Sequence, residues 1–409
     1  MKRIIFCAAT SAFLAFNVNA ETSSGFQIPI NGSKNSSISV GVADDGSFIM
    51  AWVNAETGTV DGRCFSRDRA PLGEPLTLVP ANSPESWESV RSNTLESPAL
   101  AMSGTGAFVL AWNSAEGIKA RKYDGCTASG IKEDHPLVAL SSKKGYTISA
   151  AINNAGISVV TWEEFVVTAH HDTYDDYKAT GSFARRLDAN GVASKHAIVV
   201  SNKGEDWSRP SVALTSDKYL LAWSESSENI HRVLVQSYDF EDLAAGPAIE
   251  VSKFQTDFGG VFGSAIAANE QGEFSVIFGA SGGYNANART WRRWVEIYRY
   301  DSEGMLSLKA QSPKYKMPST MLTHPLAVFL DGKGSETVFW STNNRKVNNG
   351  VLWSAQLNNK GLRLRKSVSA DVRYAKVASN SKGEFVISYY RRSKSKSDGG
   401  LLGWLGRAF

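Results

Sequence analysis

Seven times along this 409-residue chain, a turn residue is followed six positions later by a large aromatic side chain. The copies read GSFIMAW (46–52), GAFVLAW (106–112), GISVVTW (156–162), DKYLLAW (217–223), GEFSVIF (272–278), GSETVFW (334–340) and GEFVISY (383–389). Successive anchors stand 60, 50, 61, 55, 62 and 49 residues apart. Each copy is a short β-branched and aromatic run that cannot bury two apolar faces alone. A period near fifty residues built from such runs predicts a β-propeller.

Four strands can be read in each copy. A segment of small and apolar residues precedes the turn, as in SISVGVA (37–43) and PSVALT (210–215). The turn is mostly glycine-bearing, as a tight hairpin requires. The anchor strand follows, then a third strand ending in a large side chain, such as DGRCF (61–65) or FARRL (183–187). After turns such as DANG (188–191) and DSEG (301–304), a fourth strand closes the unit. The seventh copy ends on its third strand at Phe409, while GFQIPI (25–30) stands alone before the first copy. The expectation is one all-β domain over 21–409. It is a single seven-bladed β-propeller, closed by the N-terminal strand supplying the fourth strand of the last blade, which removes open edges. Trp52, Trp112, Trp162, Trp223, Phe278, Trp340 and Tyr389 are then wedges between blades, each hiding roughly 150–250 Å².

Residues 1–20 carry the marks of an export signal. Lys2 and Arg3 precede an apolar run over 4–16, and Val18-Asn19-Ala20 supplies small residues for cleavage. The run is too short to span a bilayer, and no other stretch is long and apolar enough. The mature chain is expected to start at Glu21, to be soluble, monomeric, and periplasmic or extracellular. Loss of Lys2 and Arg3 takes the formal charge from +4 to +2, which argues against a nucleic-acid partner. Cys64 and Cys126 remain; they either pair between blades 1 and 2 in an oxidising compartment or stay as two buried thiols.

GAFVLAW with KARKYD (106–124) and SFARRLDANG (182–191) resemble the G-x-F-V-V-A-W repeats of bacterial secreted and surface β-propellers. The resemblance spans nearly all of the mature chain. It implies the fold and leaves the activity open, and copies five and seven carry Phe278 and Tyr389 in place of tryptophan.

Catalytic signatures are scarce. The strand 1 segments, which line the channel of a propeller, carry Lys376 as their only charge. They offer no carboxylate pair of the kind that glycoside hydrolysis uses. The S-x-D-x-G-x-T-W box, a nucleophile elbow, a phosphate loop and an EF-hand pattern are all missing. Variation concentrates between strands 2 and 3, with long connections at 163–181, 279–293 and 390–400. Long loops on a rigid scaffold are where function is usually carried.

The charges of those connections segregate. Blades 1–4 sum to −7 and blades 5–7 to +8, which predicts a two-signed face able to orient a partner. Arg289, Trp291, Arg292, Arg293, Arg345, Lys346, Arg391 and Arg392 form the candidate ligand site. Arginine pairs bidentately with carboxylate or phosphate groups, and tryptophan stacks on sugars or cations. His170, His171, Asp172, Asp175 and Asp176 are a candidate divalent-metal set; no other cofactor is expected. The leading expectation is an exported binding or scaffold propeller for an anionic glycan or protein. Its alternative is a loop-based hydrolase or lyase acting on an anionic polysaccharide.

Overall fold

The computed structural model describes residues 26–28, 38–54, 57–81, 98–127, 130–132, 135–170, 175–202, 208–227, 229–255, 260–285, 287, 290–312, 314–318, 321–330, 335–344, 349–358, 361–364, 369–370, 372–391 and 400–407. Every regular element among them is a β-strand, and the architecture is an all-β propeller. Six consecutive antiparallel sheets, blades 1 to 6, occupy 38–370. Their innermost strands are Ile38–Val42, Ala99–Met102, Gly145–Ile152, Ser211–Leu214, Gly260–Ala268 and Met321–Leu330, touching one another in that order. A further sheet joins both ends of the chain in the order Val372–Ser379, Glu384–Arg391, Gly400–Arg407, Phe26–Ile28. In it Phe26 lies opposite Gly403 and Ile28 opposite Leu401. The last long strand ends at Arg407, and Phe409 lies outside the described residues.

The hairpins form because the turn glycine adopts the left-handed backbone that other residues resist. Gly46 and Gly106 have φ of 84° and 96° and close the turns into the first two anchor strands. Opposite the start of an anchor strand stands the end of the third strand, and in four blades both residues are aromatic and stack. These are Phe48 on Phe65, Phe108 on Tyr123, Tyr219 on Tyr238 and Phe274 on Tyr300, with centroids 4.6 to 5.4 Å apart.

The apolar clusters lie between sheets. Ile49, Val60 and Cys64 of blade 1 pack with Phe108, Trp112 and Tyr123 of blade 2. Ile277 and Val295 of blade 5 pack with Val338 and Trp340 of blade 6. Val386 of the terminal sheet joins Ile38, Met50 and Trp52. Of the seven anchor aromatics, Trp52, Trp112, Trp162, Trp223, Phe278 and Trp340 are buried; the side chain of Tyr389 is not among those described.

Polar ties cross the seams on the face that carries the turns between strands 1 and 2. Lys122 of blade 2 donates to the Ala189 carbonyl of blade 3. Arg186 of blade 3 meets Asp242 of blade 4 at 3.0 Å. Lys218 of blade 4 donates to the Ser302 carbonyl of blade 5 at 3.3 Å, and Glu384 of the terminal sheet pairs with Arg67 of blade 1. Cys64 and Cys126 form a disulfide with Cα atoms 5.8 Å apart. It joins the third strand of blade 1 to a two-stranded ribbon, Gly125–Thr127 with Gly130–Lys132, that follows the third strand of blade 2.

Blades 3 and 6 depart from the aromatic pairing, blade 3 with Ser158 opposite Leu187. In blade 6 Glu336 takes the place of the first-row aromatic, opposite Leu357. It is 0% exposed, and among the described residues neither carboxylate oxygen meets a donor in good hydrogen-bond geometry. Burial pushes its carboxyl up to about 7, while neighbouring Ser275 and Arg299 pull the other way.

Candidate functional site

Two of the connections expected as loops are instead hairpins that continue their blades. In blade 3, Ser158–His170 pairs with Asp175–Leu187, from Ser158 opposite Leu187 to His170 opposite Asp175. In blade 5, Phe274–Asn285 pairs with Thr290–Tyr300, and Tyr315–Pro318 adds to the outer edge, with Arg292 opposite Lys316. The cause is compositional: FVVTAH and TWRRWVEIY keep β-branched and aromatic residues in register past the blade. Long, twisted hairpins therefore wall one side of the upper face, the face bearing the connections between strands 2 and 3.

At the foot of the blade 3 hairpin two neighbouring acids turn opposite ways, as strand geometry requires. Glu163, 1% exposed, accepts from the Ser208 N–H at 3.0 Å, the Ser208 hydroxyl at 2.9 Å and, at the long limit of 3.4 Å, the Thr147 hydroxyl. Ser182 also bonds to Ser208, and the Ser208 carbonyl accepts from the Ser224 N–H at 2.9 Å. Glu164 accepts from Ser141 at 2.6 Å and from the Trp162 indole at 3.3 Å, and pairs with Lys143 at 3.1 Å. Both carboxylates are thus committed to local partners.

The backbone is strained at this spot. Thr147, in a bulged part of the blade 3 inner strand, has φ of 54°, and Arg209, beside Ser208, has φ of 39°. Such conformations cost a non-glycine residue about 1–3 kcal/mol and persist only where the surroundings impose them. Here a buried carboxylate grips both sides of the strained pair. Arg209 is half-buried where the chain enters the blade 4 inner strand. One seam further on, the His231 ring lies over Gly260, the first residue of the blade 5 inner strand. A Cβ at Gly260 would stand 3.4 Å from its Cε1, and Ser226 Oγ meets Nδ1 at 2.8 Å. Around the channel mouth the seam of blades 3 and 4 thus carries a fixed carboxylate and a strained arginine, and the seam of blades 4 and 5 a histidine.

The tyrosines with shifted pKa values are unsuited to proton transfer near neutrality. Burial holds Tyr219 far above the ordinary phenol range, and its hydroxyl donates to Asp242 at 2.8 Å. Burial likewise raises Tyr238 and Tyr298, and takes Tyr300 up to about 12.

Of the eight residues predicted for ligand binding, Trp291, Arg292 and Arg293 have described side chains. Trp291 is half-buried and Arg292 exposed. Arg293 is 5% exposed, because alternation along the strand sets it with Val295 and Ile297 toward blade 6 instead of in solvent. Arg289, Arg345, Lys346 and Arg392 lie outside the described residues, and Arg391 is described only as the last residue of its strand. His170, Asp175 and Asp176 sit at the tip of the blade 3 hairpin, with side chains not described; His171 and Asp172 lie outside the described residues. Among the described residues no three His, Cys, Asp or Glu side chains group around a common point. The mouth cluster escaped the sequence reading because Ser208, Arg209 and His231 belong to no motif. Glu163 reads there as one of a run of loop acids.

No family model matches the chain, and no curated protein matches it. Similarity to solved structures is one of fold. A polysaccharide lyase of the PL25 ulvan lyase family, solved bound to -[GlcA(1-4)Rha3S]-, superposes with a TM-score of 0.55 at 9% identity, over 94% of each chain. Polysaccharide lyase Uly1 gives 0.57 at 9% identity, over 97% of this chain and 94% of its own. A protein of unknown function from Dyadobacter fermentans gives 0.48 at 10% identity, over 93% and 97%. The chain is a β-propeller similar in structure to ulvan lyases of family PL25.

Proposed function

We propose that the protein cleaves an anionic polysaccharide held across the channel mouth, by elimination beside a uronate carboxylate. The observation that carries the reading is the strained polar cluster that Glu163 ties together through Thr147 and Ser208 beside Arg209, with His231 over Gly260 one seam further on. Elimination needs a cation on the uronate carboxylate and a group that takes the proton from C5. The C4–O bond breaks as the C4=C5 bond forms, and the leaving oxygen takes up a proton. In this reading Arg209 binds the carboxylate and His231 accepts the C5 proton. Glu163 positions the turn carrying Arg209 through its two bonds to Ser208. Hydrolysis by a carboxylate pair is disfavoured, because Glu163 and Glu164 face apart and each is already engaged. The PL25 structure, whose ligand carries both uronate and sulfate, supports this substrate class by likeness of fold.

We further infer a seven-bladed ring closed by the N-terminal strand, in an exported protein. Support comes from the pairing of Phe26–Ile28 with Gly400–Arg407, from Asn380 Nδ2 donating to the Ala43 carbonyl at 2.9 Å, and from a disulfide suited to an oxidising compartment.

The test is a panel of ulvan, polygalacturonate and alginate, followed by ultraviolet absorbance of the new double bond and by release of reducing ends. The expected result is absorbance growth on at least one polymer, abolished by His231→Asn and strongly reduced by Arg209→Lys with melting temperature unchanged. Reducing ends without absorbance mean hydrolysis. Binding with neither product restores the scaffold reading.

A further inference from the structure

The outer strands of blade 5, at the seam with blade 4, carry a set of fixed cations that the proposed chemistry does not use. Along Thr290–Tyr300, residues 292, 294, 296 and 298 share one face. Trp294 and Tyr298 on that face pack with blade 4. Glu296 between them is buried, with both oxygens occupied. One accepts from the Trp294 indole at 2.8 Å and the other from the Tyr298 hydroxyl at 2.8 Å. This carboxylate locks the two rings, and Phe278 stacks on Tyr298 from the inner side with centroids 5.7 Å apart.

Two ammonium groups rest on this aromatic floor. Lys309 lies directly opposite Tyr298 in the next strand. Its Nζ sits 4.8 Å from the ring centre and 3.8 Å from Glu296, yet the side chain is 56% exposed. Hydrogen bonding to Tyr298 is the main reason its pKa is raised, so it is charged across the neutral range. Lys314, exposed, holds its Nζ 4.9 Å from the centre of the Trp294 ring. Arg292, exposed on the same face, runs its stem alongside Gly283. Three outward cations thus stand against one inward carboxylate.

A flexible lysine loses several rotors when it binds an anion. Here the ring contacts have already restricted Lys309 and Lys314, while their exposed heads retain donor capacity. We propose that this seam is an accessory binding track for a sulfate- or carboxylate-bearing polysaccharide. It holds the polymer by Lys309, Lys314 and Arg292 while another part of the same strand occupies the mouth. This rests on the anionic-polysaccharide reading above and adds a second contact surface to it.

The experiment is affinity electrophoresis of the full chain through gels containing dextran sulfate, polygalacturonate or neutral dextran. Wild-type protein should be retarded by at least one polyanion, increasingly so at low salt, and not by neutral dextran. The double variant Lys309→Gln/Lys314→Gln should bind at least about tenfold more weakly, since each lost charge-assisted contact is worth roughly a factor of ten. Lys309→Arg/Lys314→Arg should keep most of the binding, which guards against a loss caused by misfolding. Lys195→Gln, an exposed lysine of blade 3 outside both surfaces, should be retarded like wild type. Undiminished retardation of the glutamine double variant overturns the track and leaves the anionic reading standing. Absence of retardation of the wild type by every polyanion overturns both. Equal loss in the arginine and glutamine variants shows that the lysines only brace the seam, and also overturns the track.

Discussion

Replacing Glu336 by Gln removes one ionisable proton from the seam between blades 5 and 6 and leaves the shape of the side chain intact. Burial in the folded protein pushes this carboxyl up to about 7 from the ordinary 4.5. Because the folded pKa is raised, the folded state holds its proton longer than the unfolded chain. Folding stability must therefore fall as pH climbs from the unfolded value to the folded one. Below pH 4.5 both states are protonated and the wild type pays nothing. Above about pH 7 the full difference applies, about 3 kcal/mol at 1.36 kcal/mol per unit. The neutral amide has no such dependence. Urea titrations followed by tryptophan fluorescence at several pH values give the stability of Glu336→Gln minus that of wild type. That difference should climb by about 3 kcal/mol between pH 4 and pH 8, appearing as a melting-temperature gain of about 4 °C at the upper end. A constant amide contribution moves the whole curve without changing its slope. A difference that is flat with pH, or that falls as pH rises, refutes the idea that burial keeps this carboxyl protonated up to the neutral range.

Two further outcomes test the scaffold. Reduction of the Cys64–Cys126 disulfide, or its replacement by alanines, should cost about 4 kcal/mol in the chain-entropy model for a separation of 62 residues. Comparison of reduced and oxidised melting curves checks this. Deletion of residues 21–31 takes away the strand paired with Gly400–Arg407 and should lower the melting temperature or abolish folding; an unchanged melting curve would show that the pairing is dispensable.

The strands were legible because hydrophobic alternation and turn glycines act locally. GSFIMAW announces a hairpin and a buried anchor without reference to anything distant. The long hairpins of blades 3 and 5 were harder. TAHHDTYDDYKAT and GASGGYNANART are rich in turn formers and charge, and these mask the β-branched stretches that keep the ladder going on either side. The mouth was not legible at all. Glu163 and Ser208 stand 45 residues apart, and only the apposition of two blades turns one surface-like acid into a buried acceptor. Arg293 misled for the converse reason. A run of arginines reads as exposed, but strand alternation sends every second one inward.

Each apolar cluster among the described residues is shared between one sheet and its neighbour. A sheet here has no interior of its own to lose. Excising a single repeat would strip two cores at once and force its former neighbours to rematch surfaces shaped for another partner. Insertions at the tips of the hairpins touch no core. The architecture thus confines change to the rim, where extensions such as those of blades 3 and 5 can lengthen freely. The number of repeats, by contrast, is set by how the wedges fit.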